Sequence, residues 1–451
     1  MRSLLISSTK KSSGKTIISI GVAGLAHKLK YTTQTFKKGP DYIDPSWLKL
    51  ATGRQCYNLD FNTMTPKEIA NLYASKIRHV DLGVIEGTKG LFDGIATDGT
   101  DSNAELAKLI KTEVLLVIDC QGITRGIAPL LQGYKQFDKK LKMNKVILNN
   151  VSTQRHESKL IAAINKYTNY KVIGSVPSIN SIINERHLGL IPSFQHPEKN
   201  KILTKIVSVI KSNVDYDNIF PKVKKNKIIN KVISVSTNKK NKKFTIGVVE
   251  DSAFGFYYAD DIEKIINLGH KIKKINLIKD KKLPKLDGLF IGGGFPETQA
   301  KLLENNISMR KSIKEAIENN LVVYAECGGL MYLAKTIKFK NKITKMCNIF
   351  DVNITMNDKP IGRGCTILDS KSHPWNIQEN CIHAHEFHYS SIKYNKKKYK
   401  YAYDIKRGYG INGRNDGLVY KNALASFSHL RATKSFDWIS YFIKYIEKHN
   451  G

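Results

Sequence analysis

The stretch SLLISSTKKSSGKTIISI, residues 3–20, contains an apolar strand pattern, a polar loop and the beginning of a helix. The loop TKKSSGKT matches the phosphate-binding pattern G-x-x-x-x-G-K-[ST], except that Thr9 stands where the first glycine is usual. In such a loop Gly14 lets backbone N–H groups approach phosphate, Lys15 reaches the β- and γ-phosphates, and the hydroxyl of Thr16 holds Mg²⁺. The predicted nucleotide-binding residues of the loop are Thr9, Ser12, Ser13, Gly14, Lys15 and Thr16.

The same alternation of short apolar runs and helical patterns extends through the first half of the chain. Apolar runs occur in DLGVIEG (81–87), VLLVID (114–119), KVILNN (145–150) and KVIGSV (171–176). Ser102 and Glu105 also form a capping-box pattern at the start of one predicted helix. This rhythm predicts an α/β domain built on a parallel sheet that is covered by helices.

A segment rich in lysine and asparagine, residues 221–243, separates this pattern from a second one. The second pattern starts at FTIGVVED (244–251), continues through LVVYAECGG (321–329) and ends in a helix near 434–447. Since 451 residues exceed what one hydrophobic core usually holds, we expect two domains. Their predicted bounds are 1–220 for the nucleotide-binding domain, 221–243 for a linker and 244–451 for a second α/β domain.

The composition limits the classes of partner. The chain has 73 Lys and Arg against 39 Asp and Glu, a formal net charge of +34 at pH 7. The lysines are scattered among Asn and Ile instead of forming a basic stripe with aromatics, so we predict no nucleic-acid binding. The apolar stretches are too short for a membrane span, the first residues lack a signal-peptide core, and the six cysteines include no CxxC pair. We expect a cytoplasmic protein with reduced cysteines and no membrane association.

Acidic residues after the phosphate loop supply candidates for a metal and a substrate site. Glu86 ends an apolar strand pattern, where α/β sheets bind ligands, and is the predicted second Mg²⁺ ligand; Asp60, in NLDF, is another candidate. The segment FKKGPDYIDPSW, residues 36–47, is predicted to be a loop by its Gly-Pro and Asp-Pro steps. Its density of charges and aromatics favours a binding loop over a plain solvated turn. The predicted substrate-binding residues in it are Lys38, Asp41, Tyr42 and Asp44.

A second chemical site is predicted at AECGGL, residues 325–330, where a strand pattern turns sharply into a helix pattern. Such a bend resembles the nucleophile elbow, which holds a reactive side chain clear of a sheet, and a helix N-terminus favours the thiolate form of a cysteine. Cys327 is therefore the predicted nucleophile. The predicted oxyanion donors are the backbone N–H groups of Gly328, Gly293 and Gly294.

The base that activates this thiol must come from elsewhere in the chain. His429, in ALASFSHLRA, follows a strand pattern near the C-terminus and is the predicted base. His383, His385 and His388 compete for this role, but strand alternation would put the first two on one face and the third on the other. We expect these three histidines to pack in the strand or to contact substrate, and not to bind a metal ion.

The order of these motifs resembles that of the cobyrinic acid a,c-diamide synthase family. The matching stretches are SSGKT, FKKGPDYIDP, NLDF, EGTKGLFDG, ERHLGL, EDSAFGFYY, GGGFPE, AECGGLMYL and HEFHYS. The resemblance covers nearly the whole chain. It implies a dethiobiotin synthetase-like N-terminal domain, which uses ATP and Mg²⁺ to phosphorylate a carboxylate, and a C-terminal class I glutamine amidotransferase domain.

Individual roles follow from this resemblance. Lys15 and Thr16 would hold phosphate and magnesium, Cys327 with His429 would hydrolyse glutamine, and Asn149 stands where related proteins contact adenine. One position departs from the class I pattern, because Arg431 replaces the Glu that commonly follows the histidine by two residues. The cysteine and histidine then act as a dyad or recruit another carboxylate, for which Glu386 is a candidate.

The substrate implied by the resemblance is a peripheral carboxylate of a modified tetrapyrrole: cobyrinic acid, nickel sirohydrochlorin or sirohaem. FKKGPDYIDPSWL and DGTDSNAELAKL resemble the sirohaem-amidating branch more than ordinary cobyrinate enzymes. Two alternatives remain open: a P-loop switch or partitioning ATPase with a degenerate amidase domain, and a tetrapyrrole-binding carrier. The oligomeric state is also left open, with a homodimer as one possibility.

Overall fold

The computed structural model describes residues 2–178, 185–186, 189–222, 242–395 and 398–450. The chain divides into two compact units, residues 1–231 and 232–451. The predicted linker, 221–243, falls largely outside the described residues, so its bounds stay a prediction. Within the described ranges, no helix combines the length and the apolar character that a membrane crossing requires.

The first unit is built on a seven-stranded parallel sheet, with strand order β3-β2-β4-β1-β5-β6-β7. Its strands are β1 (Arg2–Ser8), β2 (Thr33–Lys38), β3 (Tyr57–Leu59), β4 (Leu82–Glu86), β5 (Glu113–Asp119), β6 (Lys145–Val151) and β7 (Lys171–Pro177), followed by the short pair β8 (Glu185–Arg186) and β9 (Gly189–Leu190). Its helices are α1 (Lys15–Lys28), α2 (Ile43–Thr52), α3 (Pro66–Ile77), α4 (Asn103–Leu109), α5 (Ile127–Phe137), α6 (Gln154–Tyr167) and α7 (Lys199–Asn213), with 3-10 turns at Ser193–Gln195 and Tyr216–Asn218.

These elements confirm the predicted α/β class and most of the predicted strands. Every apolar run named above in this half forms a strand, and Ser102 caps α4 by accepting the N–H of Glu105. The prediction of a loop over residues 36–47 is wrong, because β2 continues to Lys38 and α2 begins at Ile43. Asp41 Oδ1 accepts the N–H groups of Ile43 (2.8 Å) and Asp44 (3.1 Å), which starts the helix despite Pro45; proline is tolerated in a first turn.

The second unit contains a nine-stranded mixed sheet, with strand order β12-β10-β13-β15-β24-β23-β22-β19-β20. The first five strands are parallel and the remaining pairs antiparallel. The strands of this unit are β10 (Thr245–Val249), β11 (Phe254–Phe256), β12 (Lys271–Ile275), β13 (Gly288–Ile291), β14 (Gly293–Gly294), β15 (Val322–Glu326), β16 (Thr336–Phe339), β17 (Lys342–Lys345), β18 (Val352–Met356), β19 (Gly362–Ser370), β20 (Ile382–His388), β21 (Ser390–Tyr394), β22 (Lys400–Arg407), β23 (Asn415–Tyr420) and β24 (Ala423–Ser426).

Helices and two smaller sheets complete this unit. The small sheets are β17-β16-β18-β21 and β11-β14. The helices are α8 (Ala259–Asn267), α9 (Ala300–Asn305), α10 (Ile307–Glu318), α11 (Gly328–Leu333) and α12 (Trp438–His449), with a 3-10 turn at Pro296–Thr298. The last helix begins later than the predicted 434, because the Asp437 side chain caps it at the N–H of Ser440 and Trp438 is fully buried.

Candidate active site

The predicted phosphate loop connects β1 to α1. Gly14 has φ of +88°, a left-handed conformation that other residues adopt at a cost, and a Cβ there would overlap the side-chain amide of Asn149. Asn149, which is buried, donates from Nδ2 to the carbonyl of Ser13 at 3.0 Å. The structure therefore brings Asn149, at the end of β6, against the loop, and its predicted adenine contact stays a prediction.

Hydrogen bonds inside the loop hold it in shape. Ser13 Oγ donates to the Lys10 carbonyl at 2.9 Å, and the Tyr134 hydroxyl donates to the Thr9 carbonyl at 2.9 Å. Lys15 Nζ donates to Ser8 Oγ at 2.9 Å. Burial, followed by the positive charge of Lys37, lowers the pKa of Lys15 to about 8. A buried ammonium of this kind gains a counter-charge when phosphate binds, so these residues fit a nucleotide.

Two carboxylates, a hydroxyl and a lysine meet beside the start of α1. Thr16 Oγ1 donates to Glu86 Oε1 at 2.6 Å and lies 3.3 Å from Asp44 Oδ2. Lys37 Nζ contacts the same two carboxylates, at 2.9 Å from Glu86 Oε1 and 2.6 Å from Asp44 Oδ2. Lys37 and Glu86 are register partners on β2 and β4, which explains why their side chains meet.

Burial dominates the electrostatics of this cluster. Burial, with the negative charge of Asp44, raises the pKa of Glu86 to about 8, against the opposing effect of Lys37. Burial also opposes the charge of Lys37, but the carboxylates of Asp44, Glu86 and Asp41 outweigh it and hold the pKa of Lys37 well above its usual value. Burial and the neighbouring Asp44 raise the pKa of Asp41 to about 6. The cluster is thus a place where cationic charge is strongly stabilised.

The donor set suits Mg²⁺, which binds through one or two carboxylates, a hydroxyl and phosphate oxygens. Glu86 Oε2 is buried and has no hydrogen-bond partner among the described residues, so this oxygen has the capacity to accept a cation. Asp44, predicted as a substrate residue, lies with Thr16 and Glu86 in this set. Asp60, the other candidate, accepts from Asn62 N and Thr63 Oγ1 in a local turn, and its metal role stays a prediction.

Of the other three predicted substrate residues, Asp41 borders the cluster. Asp41 Oδ2 lies 3.7 Å from Lys37 Nζ. Lys38 is buried and follows Lys37 on β2, so its side chain points to the opposite face. Tyr42 immediately precedes α2. The substrate roles of these three residues stay predictions.

Cys327 lies in the predicted sharp bend between β15 and α11. Its backbone has φ of 46° and ψ of −99°, a rare conformation for a residue with a side chain, and such strain is common at active sites. The bend is fixed on both sides: Cys327 N–H donates to the Ser426 carbonyl at 2.7 Å, and Met331 N–H donates to the Cys327 carbonyl at 3.1 Å. Cys327 is 6% exposed, and its Sγ lies 4.0 Å from the Phe387 carbonyl oxygen.

His429 reaches Cys327 from the segment after β24, as predicted from the sequence. Its side chain hydrogen-bonds Cys327 on one side, and Nδ1 lies 3.2 Å from Glu326 Oε2 on the other. Burial opposes the imidazolium, but the hydrogen bonds and charges of Cys327 and Glu326 outweigh burial and raise the pKa of His429 to about 10. The arrangement places a cationic imidazole beside the Cys327 sulfur, as nucleophilic attack by a cysteine requires.

Glu326 is the orienting carboxylate that sequence reasoning missed. Its Oε1 accepts the Tyr324 hydroxyl at 2.8 Å and the Leu430 N–H at 2.9 Å, which leaves Oε2 directed at His429. The proposed alternative, Glu386, is wrong: its oxygens accept the N–H groups of Tyr409 (2.6 Å) and Gly410 (2.7 Å). The sequence did contain a signal for Glu326, because this residue directly precedes Cys327 at the end of a strand pattern.

The predicted oxyanion glycines lie close to this pair. A Cβ at Gly293 would touch the His429 ring, and a Cβ at Gly328 would come within 3.0 Å of Gly294 N. The three glycines therefore lie together, although their oxyanion role stays a prediction. Arg431, at the position where class I enzymes have Glu, donates from Nε (3.2 Å) and Nη2 (2.9 Å) to Asp260 Oδ2.

The competing histidines occupy β20 with the alternation that the sequence predicts. His383 and His385 share one face, and His388 is buried on the other. His385 and His429 pair through their backbones, with His429 N–H donating to the His385 carbonyl at 2.7 Å. In the described ranges, no group of three or more His, Cys, Asp or Glu side chains is arranged to hold a metal ion. All six cysteines lie in described residues and are free thiols.

Comparison with known proteins finds matches for both halves of the chain. An AAA domain model matches residues 2–186, and a CobB/CobQ-like glutamine amidotransferase domain model matches residues 245–435. The chain is 34% identical over 450 residues to the cobyrinate a,c-diamide synthase of Magnetococcus marinus, with 98% of this chain and 96% of the relative covered. It is 36% identical over 437 residues to that of Methanosphaera stadtmanae, with 95% of each chain covered.

A solved glutamine amidotransferase is also similar, at 16% identity and a TM-score of 0.33 over 45% of this chain and 98% of that chain, and we draw nothing further from it. The two domain matches and the fold define the class, an ATP-binding, glutamine-dependent amidating ligase. With such identity over nearly its whole length, the chain belongs to the cobyrinate a,c-diamide synthase family.

Proposed function

We propose that the protein amidates peripheral carboxylates of cobyrinic acid, with ATP as the activating substrate, Mg²⁺ as the metal and glutamine as the nitrogen source. The observation that carries the proposal is the Glu326–His429–Cys327 arrangement, in a chain that also holds the phosphate loop and the cluster of Thr16, Glu86 and Asp44. One cluster suits nitrogen release and the other suits carboxylate activation. A carboxylate resists attack by ammonia until one oxygen becomes a leaving group.

In the amidase half, the Cys327 thiolate attacks the side-chain amide of glutamine. His429, charged and hydrogen-bonded to Cys327, gives its proton to the departing nitrogen, so that ammonia leaves and a thioester remains. Water then hydrolyses the thioester to glutamate, with His429 as the base. Glu326 holds the imidazole through Nδ1, which leaves Nε2 for these proton transfers.

In the synthetase half, Lys15 and the phosphate loop bind the nucleotide, and Thr16, Glu86 and Asp44 would hold Mg²⁺. The metal would neutralise charge on the phosphates. The acceptor carboxylate takes the γ-phosphoryl group, and ammonia then displaces phosphate to leave the amide. Lys37 lies next to Asp44 and Glu86, where its ammonium offsets their negative charge.

The proposed acceptor is cobyrinic acid. The curated relatives are named for cobyrinate, which supports cobyrinic acid. Sirohaem, favoured by several stretches of the sequence, is the alternative acceptor of the same chemical class. Both are polycarboxylates, and the net charge of +34 would favour the approach of either.

The test is mass spectrometry of cobyrinic acid and of sirohaem, each incubated with the protein, ATP, Mg²⁺ and either glutamine or ammonia. We expect conversion of carboxylates to amides on cobyrinic acid with both nitrogen sources. The Cys327→Ser variant should lose the glutamine-dependent product and keep the ammonia-dependent one, because only the nitrogen supply is removed. If sirohaem is amidated and cobyrinic acid is not, sirohaem replaces cobyrinic acid as the acceptor in the proposed function. ATP hydrolysis that is independent of both acids and unaffected in Cys327→Ser would refute the proposed function.

A further inference from the structure

The segment that carries His429, residues 427–432, is buried except for the partly buried Ala432, but lies outside the regular strands and helices. Buried backbone N–H groups need acceptors, and an irregular segment cannot take them all from a sheet. Here His429 N–H donates to the His385 carbonyl at 2.7 Å. Most of the others donate to buried carboxylates that come from three different elements.

Asp416, on β23, holds the side of the segment before His429. Its Oδ1 accepts the Phe427 N–H at 3.0 Å and the Gly417 N–H at 2.8 Å, and its Oδ2 accepts the Ser428 N–H at 2.9 Å. Its side chain is fully buried. Hydrogen bonds to a carboxylate are roughly twice as strong as neutral ones, so this contact fixes the backbone firmly.

Asp261, on α8, holds the side after His429. Its Oδ1 accepts the Ala432 N–H at 2.9 Å, and its Oδ2 accepts Trp438 Nε1 at 2.9 Å. Glu326 holds the residue between them, because it accepts the Leu430 N–H at 2.9 Å. The backbone on both sides of the imidazole is thus fastened to rigid elements.

We propose that Asp416 and Asp261 are positioning residues for His429: by accepting backbone N–H groups on either side of it, they hold the imidazole in place between Glu326 and Cys327. This inference rests on the proposed roles of Cys327 and His429. Both aspartates are buried, and their role is to act through the backbone of this segment. A displacement of about 1 Å in a catalytic group is enough to cost about 100-fold in rate.

The variants Asp416→Asn and Asp261→Asn test the inference. Each replaces one acceptor oxygen by an NH₂ group that faces a backbone or indole N–H, at nearly constant volume. We expect kcat for glutamine hydrolysis to fall about 10- to 100-fold with little change in KM. Iodoacetamide should also alkylate Cys327 more slowly at pH 7, measured on its own peptide by mass spectrometry, because a displaced imidazole no longer stabilises the thiolate.

Asp369→Asn is the matched control. Asp369, near the end of β19, also accepts a backbone N–H, that of Cys381 at 2.9 Å, which lies just before β20. It should leave glutamine hydrolysis and Cys327 alkylation unchanged. Ammonia-dependent amidation should persist in all three variants, because it does not use His429.

Wild-type kcat and alkylation rates in soluble Asp416→Asn and Asp261→Asn would overturn the inference. Equal loss of the ammonia-dependent reaction would also overturn it, because the effect would then be global. If the variants do not fold, hydrogen exchange of the wild-type protein decides: the amides of 427, 428, 430 and 432 should be protected as strongly as those of β24, and exchange at loop rates would contradict the inference. Retention of glutamine hydrolysis in Cys327→Ser would instead show that the proposed function itself fails.

Discussion

The Glu326→Gln substitution tests the catalytic arrangement most directly. The Gln side chain can keep Oε1 as the acceptor for Tyr324 and Leu430, whose hydrogen bonds measure 2.8 and 2.9 Å. Its Nε2 then faces His429 Nδ1, at the 3.2 Å now spanned by a carboxylate oxygen. The glutamine amide nitrogen is a donor, so the imidazole of His429 must present an unprotonated Nδ1 to it. The ring proton then lies on Nε2 of His429, the atom needed as the base.

The magnitude follows from the hydrogen bond that is lost. A hydrogen bond to a charged group contributes about 1.5 to 3 kcal/mol. With 1.36 kcal/mol for each factor of ten in rate, kcat for glutamine hydrolysis should fall roughly 10- to 150-fold. The fold should survive, because the side-chain volume and the Oε1 contacts are retained.

Steady-state release of glutamate from glutamine, with and without acceptor and ATP, gives the kcat of this half reaction. Ammonia-dependent amidation serves as the internal control and should stay at the wild-type level. Glu386→Gln is the matched comparison, because Glu386 is equally buried but binds the N–H groups of Tyr409 and Gly410. A Glu326→Gln enzyme with kcat within about threefold of wild type, well inside the range expected for one charged hydrogen bond, would refute the reasoning.

Four further predictions concern nucleotide, metal, packing and pH. Lys15→Ala should abolish both glutamine- and ammonia-dependent amidation, measured as ADP release, because neither nitrogen source reacts without the activated acid. Glu86→Gln should raise the Mg²⁺ concentration for half-maximal ADP release by at least about tenfold, in the range of losses at metal sites. Trp47→Ala should lower the free energy of unfolding of the first unit by about 3–5 kcal/mol, measured in urea, because this indole is fully buried and donates to the Ile191 carbonyl at 2.8 Å. His429, whose pKa is raised from 6.5 to about 10, contributes stability that is complete below pH 6.5 and is lost as the pH rises through 10. Urea unfolding should therefore show a steeper loss of stability between pH 7 and 10 for wild type than for His429→Gln, and parallel curves would contradict the assignment.

In both sites, the residues that could be predicted from the sequence are those that lie together in one short motif. Gly14, Lys15 and Thr16 occupy a strand–loop–helix unit whose geometry is local, and the bend at Cys327 is of the same kind. His429 was predicted from its position after a strand pattern near the C-terminus, and in the structure that strand pairs with the strand of the cysteine. The α/β class followed from the same alternation of apolar runs.

The misses share one physical cause, which is that they depend on tertiary neighbours. From the sequence, Lys38 was the predicted residue, whereas the pairing of β2 with β4 directs its neighbour Lys37 to Glu86. Asp44 joined the metal set because Asp41 starts a helix there, against the propensity of Asp-Pro for a turn. Glu326 was overlooked because the search for a third residue followed the spacing common in class I enzymes.

The pairing of β15 with β24 has a further consequence. Glu326 lies opposite Ser426 in this parallel pair. Glu326 and Cys327 therefore stand at the end of β15, and His429 follows the neighbouring end of β24, three residues after Ser426. This strand alignment brings the glutamate and the segment of the histidine to the same edge of the sheet. If the two strands were offset by a single residue during folding, carboxylate and imidazole would face opposite sides of the sheet. Correct assembly of the glutamine-using half is therefore an all-or-none event, and misaligned molecules would be inactive with glutamine while remaining competent with ammonia.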